Sequence, residues 1–389
     1  MQIKRQKEVF SKLKFVDAVN LFAISLFFAR ELTGEIAYLF TGMLIGLGLL
    51  TYQTYLRHSV PLIAVVSLVV VCCSYGLTLA NNGLSHGALF IPLYLACFGI
   101  AWRIYTNGIN YWFCWILFYC SVFYFLVSFH TIDGGASTFL ANSRNHVSVF
   151  FLNAAVLVYV GAFKSGRKIS LIPAALVLLI SVLSVGFGGI LSAFIFFFLT
   201  VFYIVNNYSF TSKCTIFVLL SLFVLISTQF WNDIFTTLMP IVRDFDDVGQ
   251  KIDGLQHFEE HSRYLIWSAY FKELNLLRLL IGSDIGEEFH GVLNLHNSYL
   301  LLHQRMGLLS LIFVFYFIYS SARFYKRNSI FFACLGALLI RGVVDTTFFA
   351  GSSFDFVLVY LVFFASSQKR THQRHNQLLL EENRQVLGT

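Results

Sequence analysis

Residues 147–163 read VSVFFLNAAVLVYVGAF, an apolar run in which Asn153 is the strongly polar exception, with His146 before it and Lys164 after it. A run this long and this apolar reads as a helix crossing a bilayer, where a helix satisfies its backbone hydrogen bonds internally. The same texture recurs on both sides. Comparable stretches lie at 15–29, 36–52, 61–80, 88–102, 111–129, 171–185, 190–205, 215–230, 308–321, 330–344 and 354–365, which with 147–163 makes twelve. With 57% hydrophobic and 12% charged residues, the chain falls outside the range of soluble domains, which average about 45–50% apolar and about 25% charged. The sequence predicts an all-α integral membrane protein of about twelve transmembrane helices.

The expected organisation follows from where the apolar texture stops. Residues 1–230 carry spans one to nine, 231–295 form one long polar loop before the tenth span, 296–367 carry spans ten to twelve, and 368–389 form a solvated tail. An even number of spans puts both ends of the chain on one side. Lys and Arg in short loops set the orientation. With the N-terminus inside, 18 of the 27 Lys and Arg residues fall in cytoplasmic loops or ends, so the charge bias agrees with the span count. The long loop then faces outward. The basic start of the chain is read as flanking an anchor, because no small-residue cleavage site follows the first span.

The formal charge of +7 is spread over membrane-flanking loops instead of forming one basic face, so it argues for topology and against nucleic acid as a partner. All seven cysteines lie in or beside apolar spans, which indicates neither a disulfide framework nor a thiolate metal site. The segment His257-Phe258-Glu259-Glu260-His261 fits a His-x-x-Glu-His zinc pattern literally, yet no third ligand follows at useful spacing. It reads as a solvated acidic face, and no metal or cofactor is expected.

Within the long loop, the first part is acidic and irregular, whereas residues 262–281 place Leu265, Ile266, Ala269, Leu276, Leu277 and Leu280 at helical spacing before Gly282. The spacing predicts a helix on the membrane surface or against the bundle. A glycine-punctuated turn, Gly282 to Gly286, leads to Leu295-His296-Asn297-Ser298, where the chain becomes apolar again. Ionisable side chains gathered at the return to the bilayer mark a functional site.

The run Ser262-Arg263-Tyr264-Leu265-Ile266-Trp267, the Gly282/Gly286 turn and His296-Asn297-Ser298-Tyr299-Leu300 followed by Gly307-Leu308-Leu309 resemble the core of the O-antigen ligase/polymerase family of bacterial envelope glycosyltransferases. A second element, Asn142-Ser143-Arg144-Asn145-His146, resembles the Arg-Asn segment that many of the polymerases carry at the outer end of a mid-chain helix. The resemblance implies transfer of a glycan from an undecaprenyl diphosphate carrier to an acceptor hydroxyl, in the bacterial inner membrane at its periplasmic face. The implied partners are the lipid-linked donor, the glycan acceptor, membrane lipid and a chain-length regulator.

That chemistry needs charge stabilisation for the departing diphosphate and a base at the acceptor hydroxyl. Arginine supplies a permanently charged fork of donors for phosphate, and neutral imidazole accepts a proton near neutral pH. The resemblance therefore implies Arg263 and His296 as catalytic residues, with Arg144, Asn145, Asn297 and Arg341 binding substrate. Ligase-like members often carry a Ser-Arg pair at the outer start of the eighth span. This chain has Ser184-Val185-Gly186-Phe187-Gly188-Gly189-Ile190 there, which leaves a phosphate contact for Arg341, Arg305 or Arg243 to supply. The expected activity is polymerisation of lipid-linked oligosaccharide repeat units for O-antigen, capsule or exopolysaccharide. Ligation of finished glycan to lipid A-core is the alternative within the family. A lipid or solute transporter is the alternative of another class, but a transporter predicts related halves and charges at mid-bilayer depth, and the sequence has neither.

Overall fold

The computed structural model describes residues 2–55, 69, 76, 90–131, 144–184, 187–206, 259–283, 287–289, 291, 295–348 and 352–365. The predicted spans at 61–80 and 215–230 lie outside the described residues, apart from Val69 and Gly76. So do the acidic first part of the long loop, the side chains of the 257–261 motif and the tail from 368. Among the described residues every regular element is helical: α1 Gln2–Thr33, α2 Ile36–Tyr55, α3 Phe90–Asn107, α4 Tyr111–Thr131, α5 Arg144–Lys164, α6 Ile172–Leu183 and α7 Phe187–Asn206 come first. There follow α8 Glu259–Lys272, α9 Leu276–Ile281, α10 Ser298–Met306, a 3-10 turn Gly307–Leu309, α11 Ser310–Arg327, α12 Ser329–Val344 and α13 Asp355–Ala365.

Among the described residues five stretches are long and apolar enough to cross a membrane: Ile36–Thr54, Tyr111–Ser128, His146–Lys164, Gly188–Asn206 and Ser298–Arg327. The helices α6, α12 and α13 are apolar but shorter. The chain is an α-helical membrane protein. Its helices sort by how much apolar surface they hide. In α5, 89% of the spanning window is buried, against 28% in α2, so α5 is the central post and α2 a wall. A helix apolar on all sides belongs in the interior, and α5 packs Phe150 and Phe151 edge-on against Phe28, Phe118, Phe125 and Phe354. Phe123, Phe194, Phe198, Phe202 and Phe315 point outward, where hydrocarbon is the natural solvent.

The charge pattern assigns Arg103, Lys164 and Arg167 to one side of the membrane, and they lie at one end of the bundle. Arg103 donates to Asp17 at 2.7 Å from Nη2, Lys164 donates to the Tyr105 carbonyl at 2.8 Å, and the Arg167 guanidinium covers the Tyr111 and Trp112 rings. At the opposite end the last turn of α1, the first turns of α5, α7 and α10 and the last turn of α12 come together. Tyr124 donates to the Leu32 carbonyl there, Ser298 donates to the Asp345 carbonyl at 3.0 Å, and Gly188 abuts Val344. This is the end that the sequence assigns to the outside.

Two elements of the long loop differ from expectation. The single helix predicted over 262–281 is two helices, because Asn275 caps α9, its side-chain oxygen accepting from the Arg278 N–H at 2.8 Å. The tenth span begins ten residues before the predicted 308, at Ser298. Gly307, at φ +55°, breaks it, and the chain resumes as α11. Of the predicted apolar face, Ile266 is buried, whereas Leu276, Leu277 and Leu280 are exposed. A small second core of Ile266, Tyr270, Phe289 and Leu295 joins α8 to the turn before α10.

Candidate functional site

The site is built on the Leu295-His296-Asn297-Ser298 turn. Asn297 is the N-cap of α10: its side-chain oxygen accepts from the N–H groups of Tyr299 at 2.9 Å and Leu300 at 3.1 Å, and its amide donates to the Val343 carbonyl at 2.9 Å. Ser298 Oγ donates to the Asp345 carbonyl and accepts from the Thr347 N–H at 2.7 Å. These bonds fasten the start of α10 to the end of α12. Asn297 is thus an orienting residue, buried and engaged through its whole amide. His296, between two held neighbours, takes φ +47° and is the one non-glycine among the described residues with positive φ.

That conformation brings His296 Nδ1 to 3.8 Å from Asp345 Oδ1. The other carboxylate oxygen accepts from Arg341 Nη2 at 3.0 Å, and Oδ1 accepts from the Thr346 N–H at 2.8 Å. Burial pushes the Asp345 carboxyl up, but the adjacent His296 imidazole, the Arg341 charge, the Thr346 N–H and the nearby His146 outweigh it. The carboxyl is held well below the usual carboxylate range. Asp345 is therefore ionised at any ordinary pH. An anionic carboxylate beside Nδ1 favours the tautomer protonated there, which leaves Nε2 of His296, half-exposed, as the proton acceptor.

Arg341 is buried beneath this pair. A Cβ at Gly188 would collide with its Nη1, so the guanidinium occupies the space over the first turn of α7. That turn stands at the outer start of the eighth predicted span, where the sequence has Gly188-Gly189. Arg263, in the second turn of α8 and partly buried, lies close enough for its charge to act on Arg341. Two guanidinium groups near one another, beside the N-termini of α5, α7 and α10, concentrate positive potential at one point, which is how proteins hold anions. Arg144 and Asn145 form the first turn of α5 at this same end, and their side chains lie outside the described residues.

Sequence reasoning missed several participants. His146, one residue past the predicted pair, feels the charges of Asp345, Glu31, Arg341 and Arg30. Glu31, in the last turn of α1, accepts from Arg30 at 2.7 Å and from Ser353. The signal was present: an Arg-Glu pair closing an apolar span is costly unless something at the membrane edge uses it. Asp345 lies one helical turn past Arg341 in the sequence, a spacing that signals an ion pair with the arginine and nothing of the approach to His296. Arg305, another proposed replacement arginine, is buried in α10, and Arg243 lies outside the described residues.

The arrangement pairs a proton acceptor, oriented by a carboxylate, with a concentration of positive charge. It suits transfer of a group from an anionic leaving group to a hydroxyl. No family model, curated protein or solved structure matches the chain.

Proposed function

We propose that the chain is a membrane glycosyltransferase that polymerises undecaprenyl-diphosphate-linked repeat units at the periplasmic face, with the membrane crossed about twelve times. The observation that carries this reading is the meeting of His296, Asp345, Arg341 and Arg263 at one end of the bundle, although 82 residues separate Arg263 from Asp345 (345 − 263). The acceptor hydroxyl oxygen bonds to the anomeric carbon of the donor sugar, and its proton passes to His296 Nε2. The anomeric carbon–oxygen bond to the diphosphate breaks, and the departing oxygen keeps the electron pair. Arg263 receives the growing negative charge as a fork of donors, and Arg144, in the first turn of α5 at the same end of the bundle, is the second candidate for that charge. Arg341 holds Asp345, and Asp345 holds the histidine tautomer.

A transporter reading would place its ionisable groups at mid-depth around broken helices. The α10–α11 break at Gly307 is such an interruption, but the charged residues that meet here lie at helix ends. The experiment is reconstitution of purified protein in liposomes with lipid-linked repeat units. A ladder of longer lipid-linked glycans is expected. Transfer only onto lipid A-core would make the protein a ligase. Solute uptake without glycan transfer would end the glycosyltransferase reading.

A further inference from the structure

The left-handed backbone of His296 is a strained conformation for a residue other than glycine, and such a residue persists only where its surroundings hold it. On its C-terminal side Asn297 and Ser298 are tied to α12. On its N-terminal side stands a residue that the reaction itself does not call for: Trp267 Nε1–H donates to the carbonyl of Leu295 at 2.8 Å, across 28 positions of sequence. Leu295 is fully buried in the small core with Ile266, Tyr270 and Phe289, so its carbonyl sits away from water and depends on that donor. Trp267 lies one helical turn beyond Arg263 on the same face of α8. One further contact keeps the two elements in register. Tyr270 O–H donates to His303 Nδ1 at 2.6 Å, and His303 Nε2–H donates to the Leu279 carbonyl at 3.2 Å.

From this geometry we infer that Trp267 is a positioning residue, whose indole fixes the Leu295 carbonyl and so holds His296 in its left-handed conformation at a set distance from Arg263. The phosphate-facing arginine and the proton-accepting histidine come from different elements, and the indole N–H supplies the hydrogen bond from the arginine's helix to the residue just before the histidine. The inference rests on the function proposed above for the roles of those two residues; the mechanical coupling stands without it. Misplacing a reacting group by about 1 Å costs up to about 100-fold in rate, so a donor that sets this distance acts on turnover more than on binding.

The test is Trp267→Phe, which keeps a ring in place and removes the N–H, compared with wild type for glycan transfer and for hydrogen–deuterium exchange in the full-length protein. Exchange of the first-turn amides of α10 is expected to quicken. For transfer, kcat is expected to fall about 10- to 100-fold, with KM for the lipid-linked donor within about twofold. Unchanged exchange at α10 would overturn the coupling, and unchanged kcat would overturn the positioning role. A raised KM with kcat intact would also overturn it, by placing Trp267 against substrate. If wild type transfers no glycan, the proposed function falls, and the exchange measurement still decides the coupling.

Discussion

In the proposed mechanism His296 is the residue on which the chemistry turns, and its backbone supplies a control that its side chain does not. Asparagine tolerates the left-handed region better than most residues and can hydrogen-bond, but it accepts no proton. His296→Asn therefore retains the turn and loses the base. Polymer is expected to fall by about 10²- to 10⁴-fold while membrane abundance stays near wild type, the span typical of a positioned general base. Polymer at wild-type levels from this variant would remove proton transfer at His296 from the mechanism. Arg263→Lys keeps the charge and loses the fork, so it is expected to turn over slowly, and Arg263→Ala more slowly still. Asp345 is tied to stability as well as chemistry. Asp345→Asn leaves the guanidinium of Arg341 buried without its countercharge, which costs about 3–5 kcal/mol. The double variant Asp345→Asn with Arg341→Met is expected to regain abundance without regaining polymer. Recovery of both would make the carboxylate purely structural. The sign of the Asp345 shift fixes the pH window: a depressed carboxyl contributes stability that is complete above its unfolded value and lost only as pH falls through the lower folded one, so mild acid leaves the pair intact.

At the scale of elements, the α9–α10 contact decides whether the outer segment is a rigid part of the bundle. Gly282 ends α9 at φ +90° and ψ −171°, a region open essentially to glycine alone, and a Cβ there would run into the Gln304 carbonyl oxygen. Gly307, in turn, lies against the Leu280 carbonyl oxygen. Gly291 has a similar φ of +75°, but no described residue lies within 4 Å of where its Cβ would be. Gly282→Ala is expected to lower thermal stability in detergent clearly more than Gly291→Ala, which carries backbone strain alone. Equal losses would mean that the close backbone approach constrains nothing. These elements also show why the sequence was legible in part. Gly282 stops a helix by chemistry that is local, and it was readable. The break at Asn275 was equally local, an N-cap before a leucine run, but the apolar spacing on both sides of it masked the cap. The return to the bilayer at 296–298 was readable, but His303, Gln304 and Arg305 interrupt the apolar texture and put off the predicted tenth span to 308. Their burial depends on α9 and α12, which no local pattern reports.

For the whole molecule, the grouping of the helix ends extends what charge counting gives. Apolar runs alone predicted helices at 36–52, 111–129, 147–163 and 190–205, and helices long enough to span a membrane stand at each. Which runs pack at the centre was beyond that reading, because α5 and α2 are both apolar and differ only in what surrounds them. The candidate site was half legible for the same reason. Arg263 and His296 lie in motif-like segments with Trp267 and His146 at the ends of the quoted runs, but the parts that Trp267, His146 and Glu31 take enter only through the way distant helices meet. The ends of the bundle carry the last prediction. Arg103, Lys164 and Arg167 gather at one end, and His296, Asp345 and Arg341 at the other, so a single orientation places every one of them. Positive charge in short loops is expected to retain the first end inside. In a cysteine-free background, Ser165→Cys and Glu288→Cys both replace residues exposed to solvent, one at each end. An impermeant maleimide applied to intact spheroplasts is expected to label residue 288 and to reach residue 165 only after the membrane is opened. Labelling of 165 in intact spheroplasts with 288 protected would invert the protein. The histidine, carboxylate and arginine site would then face the cytoplasm, where a periplasmic glycan acceptor could not reach it.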